Sequence, residues 1–114
     1  MKKTVKQLLD EKGHSVWSVK PDATVSEAVR IMEQRKVGAM PVLDNGRMAG
    51  IVSERDCVRK VILKGKPFKT TKVAAIMTKR VFYVAPERSV EECMALMTEK
   101  RIRHLPVFDG PNLV

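Results

Sequence analysis

Three short stretches of the 114-residue chain carry side chains able to grip a ligand. The first is Ser53-x-x-Asp56. A hydroxyl and a carboxylate at this spacing form a capping box at a helix start, each side chain satisfying the other residue's backbone amide. A helix N-terminus also presents unpaired amides and the positive end of a dipole, which suits an anion. There the Ser53 hydroxyl can donate to a phosphate oxygen, and the Asp56 carboxylate can accept from hydroxyl groups. The second is Arg103-His104, just ahead of Leu105-Pro106-Val107. A guanidinium takes phosphate through two parallel hydrogen bonds, a charged hydrogen bond being worth about 1.5–3 kcal/mol, and the imidazole adds a donor. The third is Arg80-Val81-Phe82, a cation ahead of two apolar residues. Each has a plain structural alternative: a helix cap, two surface bases, a core strand.

Other chemistry is not indicated. There is no phosphate-binding glycine loop, no dinucleotide fingerprint and no nucleophile elbow. Cys57 has no base beside it in sequence, and Cys57 and Cys93 lie far apart with no Cys-x-x-Cys spacing, which excludes a disulfide scaffold and a zinc finger. His14 and His104 are not paired for a metal. Neither catalysis nor a metal site nor a required cofactor is expected.

The elements that must position these residues come from an internal repeat. Residues 16–49 align without a gap on residues 81–114. Nine of these 34 pairs are identical, namely Val16, Val19, Pro21, Val25, Glu27, Met32, Pro41, Val42 and Asp44 with their later partners. Upstream, Val5, Leu8 and Leu9 align with Val73, Ile76 and Met77. Each copy reads as strand, helix, strand, returning strand, helix, after a short helical lead-in. The first strands are 16–19 and 81–84. Thr24-x-x-Glu27 and Ser89-x-x-Glu92 are capping boxes. The helices that follow are expected to bury Val25, Ala28, Val29 and Met32, and Val90, Cys93, Met94 and Met97. Pro41 and Pro106 sit inside the next strand, which suggests a strand beginning or a sheet edge. Asp44-Asn45-Gly46 signals a hairpin. The last helix of the first copy is expected to bury Cys57, Val58, Val61 and Ile62 and to stop at Gly65. The equivalent of Asp56 in the second copy falls beyond Val114. That copy is therefore expected to lack its returning strand and final helix, leaving a second, symmetry-related site incomplete. Gly38 and Ala39 stand where the other copy has Arg103 and His104.

Composition bounds the partners. Apolar residues make up 44% of the chain, enough for a core, and the longest apolar runs are far short of the roughly 20 residues a membrane span needs. No membrane partner and no secretion signal are indicated, and a cytoplasmic location is expected. The net charge is +9, concentrated between Cys57 and Pro86, where eight Lys or Arg residues occur with no acid. Such a bias favours an anionic partner: a nucleotide phosphate, a nucleic acid or an acidic protein face. A nucleic acid finds little stacking platform here, since only Phe68, Phe82 and Tyr83 punctuate the stretch.

The tandem units, Met40-Pro41-Val42, the hairpin, Gly50-Ile51-Val52-Ser53-Glu54-Arg55-Asp56 and Arg103-His104-Leu105-Pro106-Val107 resemble a pair of CBS domains, often called a Bateman module. The resemblance covers almost the whole chain. It implies an α/β fold of two β-α-β-β-α motifs in pseudo-twofold packing, with motif 1 over residues 1–68 and an incomplete motif 2 over 69–114. It implies regulation through an adenosine-containing ligand, AMP, ADP or ATP first, with NAD(H) and S-adenosylmethionine as further candidates, held in the cleft between the copies. In that reading Asp56 holds the ribose hydroxyls and Ser53 a phosphate. Arg103, His104 and Arg80 serve the phosphates, Val81 and Phe82 line the adenine pocket, and Ile51 adds an apolar wall. Val16 and Trp17 take the corresponding place in the second cleft, where the resemblance lets Trp17 stack on a base but Gly38 and Ala39 offer no phosphate grip. Pairing into flat homodimers through helix faces, and a regulated enzyme or transporter, are the implied partners. The alternatives are a basic nucleic-acid-binding module and a ligand-free interaction module.

Overall fold

The computed structural model describes residues 3–13, 16–109 and 112–114. The architecture is mixed α/β, as expected. The elements are α1 (Val5–Lys12), α2 (Val25–Arg35), β1 (Ala39–Asp44), β2 (Arg47–Ser53), α3 (Glu54–Cys57), α4 (Val90–Lys100), β3 (Phe108–Asp109) and β4 (Asn112–Leu113). A π-helical turn, Val58–Ile62, continues α3, and a single 3-10 turn covers Val73–Ala75. The chain forms two compact units, residues 17–81 and residues 1–16 with 82–114.

In the unit of residues 17–81, Thr24 caps α2 by accepting from the Glu27 amide at 3.1 Å. Val25, Ala28 and Met32 point into a core completed by Val19, Met40, Val42, Val52, Cys57, Val61, Val73 and Ile76. β1 and β2 form an antiparallel hairpin in which Asp44 pairs with Arg47. Asn45 and Gly46 both have positive φ, 52° and 82°, the geometry whose twist matches a two-residue hairpin.

Pro41 lies inside β1, and its position explains why the expected first strand, 16–19, is reduced to one bridging residue. Val19 pairs in parallel with Val42, donating to the Pro41 carbonyl at 3.2 Å and accepting from the Leu43 amide at 2.9 Å. Extending that ladder toward Trp17 would need an N–H at residue 41, which proline lacks. The same arrangement recurs 65 residues later. Val84 bridges Val107, donates to the Pro106 carbonyl and accepts from the Phe108 amide. The expected strand 81–84 shrinks for the same reason.

The other unit is built on α4, capped by the Ser89–Glu92 box. Arg88 donates to the Glu92 carboxylate at 2.8 Å, and with the Ser89 hydrogen bonds this holds that carboxyl below its ordinary range. Val5, Val84 and Cys93 form the core, with Leu9, Leu96, Leu105 and Val107 packed against it. α1 is capped by Thr4 and Gln7. It docks through the Val5 and Lys6 amides onto the carbonyls of Arg88 and Pro86, while the Val90 amide donates to Lys3. The equivalent lead-in of the second copy makes the equivalent bonds in the first unit: the Val73 and Ala74 amides donate to Ala23 and Pro21, and the Val25 amide to Thr71. Each lead-in thus serves the body of the other repeat.

Three expectations are corrected. Val29 and Met94 are 41% and 59% exposed, and Val58 and Ile62 are 45% and 63% exposed. Each follows an inward residue by one position, and a helical step of about 100° carries the side chain off the core face. The returning strand of the second copy is not wholly missing: Asn112–Leu113 pairs with Phe108–Asp109. Residues 110 and 111, and His14, lie outside the described residues.

Candidate functional site

Ser53 ends β2 in extended geometry, φ −124° and ψ 162°, and opens α3. Its hydroxyl accepts from the Asp56 amide at 3.1 Å, and Asp56 Oδ2 accepts from the Ser53 amide at 3.2 Å. The capping alternative is therefore realised, and it fixes where the carboxylate points. Two further donors meet it. Lys60, one turn on, places Nζ 3.1 Å from Asp56 Oδ1 and also donates to the Ile76 carbonyl at 2.9 Å. The Thr78 hydroxyl reaches Asp56 Oδ2 at 3.5 Å. The Asp56 side chain is 14% exposed, so this is a half-enclosed carboxylate rather than a solvated one.

Thr78 arrives because residues 77–78 cross β2 closely. Ile51 and Thr78 exchange both backbone hydrogen bonds, at 2.9 and 2.8 Å. Gly50 makes the approach possible, since a Cβ there would stand 2.7 Å from the Thr78 carbonyl oxygen and 3.0 Å from Met77 Sδ. The chain then runs on through exposed Arg80 to half-buried Val81. Ile51, Ser53, Asp56, Arg80 and Val81 thus belong to the unit of residues 17–81, and Phe82, Arg103 and His104 to the other.

In that other unit, α4 ends at Arg101 in left-handed geometry, φ 55°. The Ile102 amide returns to the Met97 carbonyl, and Arg103 and His104 follow, both exposed, before Leu105-Pro106. Lys100 Nζ lies 5.3 Å from the half-buried Phe82 ring. The first unit repeats the pairing, with the Arg35 guanidinium 3.9 Å from the Trp17 ring centre. Trp17, expected to offer its face to a base, has a guanidinium stacked on it.

Sequence reasoning passed over Thr78, Lys60 and the steric role of Gly50. Lys60 was legible as an i,i+4 partner of Asp56. Nothing local marks Thr78, which reaches Asp56 across 22 residues. A cavity of about 570 Å³ lies elsewhere in the same unit, lined by residues 18–22 and 43–46, and includes none of the expected site residues. It opens where Ser18 and Leu43 replace Tyr83 and Phe108, which pack edge to face at 5.5 Å in the other unit.

The profile of the CBS domain matches the chain twice, over residues 5–63 and 73–114. The chain belongs to the CBS-domain family. It is 40% identical over 97% of its length to the mitochondrial CBS domain-containing protein CBSX3 of Arabidopsis thaliana, and spans 58% of that protein's length. Among solved structures, the CBS-domain protein NE2398 superposes with a TM-score of 0.95 at 46% identity, covering 100% of this chain and 89% of that one. A CBS-domain protein of Burkholderia ambifaria, described as a candidate signal-transduction protein, superposes with a TM-score of 0.93 at 46% identity, covering 97% and 84% of the two chains. The fold and the tandem CBS pair inferred from the repeat are those of these relatives.

Both CBS-unit cysteines are buried. Burial first, then the charges of Asp56 and Glu54, pushes the Cys57 thiol up to about 11, and burial raises Cys93 too. Both thiols are expected to resist alkylation by a maleimide at neutral pH until the chain is unfolded, and rapid labelling of the folded protein would contradict that placement. The unfolded Cys57 thiol ionises near 9.0, below its folded value. Its contribution to stability is present below that pH and fades as pH rises toward 11.

Proposed function

We propose that this CBS pair is a non-catalytic regulatory module that responds to an adenosine-containing ligand, AMP, ADP or ATP first, with NAD(H) and S-adenosylmethionine as further candidates. The observation that carries the reading is the half-enclosed Asp56 carboxylate, held at a helix start by the Ser53 amide, the Thr78 hydroxyl and the Lys60 ammonium. A carboxylate offers about four acceptor positions. The Ser53 amide, Thr78 and Lys60 take three of them. Two ribose hydroxyls therefore need one present donor to yield, and the 3.5 Å Thr78 bond is the weakest of the three. Released, the Thr78 hydroxyl becomes a donor for the ligand beside Ser53. The reading assigns Arg103, His104 and Arg80 to phosphate oxygens, and Ile51, Val81 and Phe82 to the base. The signal-transduction description of the Burkholderia relative is in keeping with such a role.

Calorimetric titration with adenosine, AMP, ATP and NADH tests the reading, and Trp17, the single tryptophan, supplies a fluorescence signal. Absence of heat and of a thermal shift with all of them at millimolar levels would sink it. Arg103→Ala is expected to weaken AMP and ATP by about 10- to 100-fold, the worth of a charged hydrogen bond, and to spare adenosine. Equal losses would remove Arg103 from the phosphate. The exposed apolar residues Val29, Val58, Ile62 and Met94 supply helix faces for a homodimer. Ile62→Asp is expected to lower the mass seen by light scattering to that of a single chain, and an unchanged mass would place the contact elsewhere.

A further inference from the structure

Beyond α3 the chain presents a feature that nucleotide sensing leaves unused. Leu63 is 74% exposed and Phe68 47% exposed. Around them stand Lys64, Lys66, Lys69 and Lys72, all exposed and none ion-paired with a described carboxylate. The segment is tied down along its backbone. The Lys66 amide donates to Val61, the Thr71 amide and hydroxyl both donate to Pro67, and the Ser26 amide at the start of α2 takes the Phe68 carbonyl at 2.9 Å. The apolar side chains and the cations therefore share one short segment whose backbone is already held, with little backbone ordering left to occur on contact.

We propose that residues 63–72 dock this protein on an anionic lipid surface, Leu63 and Phe68 entering the interface and the four lysines meeting headgroup charge. Membrane attachment takes two signals, apolar insertion and a basic cluster, and this segment carries both. Residues 63–70 are exposed throughout, following directly on the Ile62 face assigned to the homodimer. A nucleic acid gains nothing from an exposed leucine, and Phe68 alone among residues 63–72 offers a ring on which a base could stack. No described helix is long and apolar enough to cross a membrane, and surface docking requires none.

Co-sedimentation of the whole chain with vesicles tests this. Binding is expected to phosphatidylcholine vesicles containing phosphatidylglycerol at low salt, to fall steeply as salt is raised, and to be absent with phosphatidylcholine alone. Each lysine contributes roughly fivefold, so reversing two charges in Lys66→Glu/Lys69→Glu is expected to lower binding at least about 100-fold. Phe68→Ser is expected to weaken it several-fold while keeping the salt dependence. Lys66→Gln/Lys69→Gln supplies the milder form should the reversal unfold the chain, which a thermal melt would show. Equal binding to both vesicle types, no binding to either, or unchanged binding of the lysine variants would overturn the proposal. So would capture of an oligonucleotide or polyglutamate through these lysines where the vesicles fail. AMP affinity is expected to be the same in every one of these variants, which keeps this test separate from that of the nucleotide site.

Discussion

Asp56→Ala is expected to weaken adenosine and AMP alike, by about 10- to 100-fold, because the lost hydrogen bonds are to a charged acceptor and involve the sugar that both ligands share. The fold should survive. The Ser53 hydroxyl still receives the residue-56 amide, and Lys60 keeps the Ile76 carbonyl. The stability loss is then about that of half a capping box and one half-enclosed ion pair, on the order of 1–2 kcal/mol. Asp56→Asn keeps the shape and removes the charge, so it should fall between Ala and the natural residue. The decisive comparison is with Arg103→Ala, since a loss common to adenosine and AMP marks a sugar contact and a loss confined to AMP marks a phosphate contact. AMP binding undiminished in Asp56→Ala would leave the carboxylate as a helix cap and nothing more.

Gly50→Ala tests the support beneath the site. One methyl at this buried position would press on a backbone carbonyl at 2.7 Å, which cannot swing aside as a side-chain tip can. Overpacking of this kind costs about 1–3 kcal/mol. Relief requires residues 77–78 to lift from β2, loosening the Ile51–Thr78 pair and drawing the Thr78 hydroxyl from Asp56. A lowered unfolding midpoint together with weakened nucleotide binding is the expected result, measured by denaturant titration and calorimetry. A variant as stable as the parent would mean that residues 77–78 do not press on β2 at Gly50. Thr78→Val separates the two effects, since it removes the hydroxyl and leaves Gly50 uncrowded.

Much of this was legible in the sequence because it depends on local chemistry repeated twice. Capping boxes at Ser53 and Ser89, the Thr24 cap (half of the expected box, since only the Glu27 amide bond forms), the Asn45-Gly46 turn and the α2 and α4 stripes rest on contacts within four residues. Periodicity alone misjudged Val29, Val58, Ile62 and Met94, because an apolar stripe records which residues avoid water without recording what covers them.

What the chain order determined by itself is a duplicated unit with a hydroxyl and a carboxylate locked at one helix start, and a cationic pair ahead of the second copy's Pro-Val strand. What only the tertiary structure decided is the company that carboxylate keeps, and which lead-in packs with which body. Thr78 reaches Asp56, and α1 reaches residues 86–93, across separations that no local spacing encodes. Gly50 leaves room for a distant backbone to come within contact of β2, but that residues 77–78 are the ones to arrive is a consequence of packing, visible only once the chain has closed on itself.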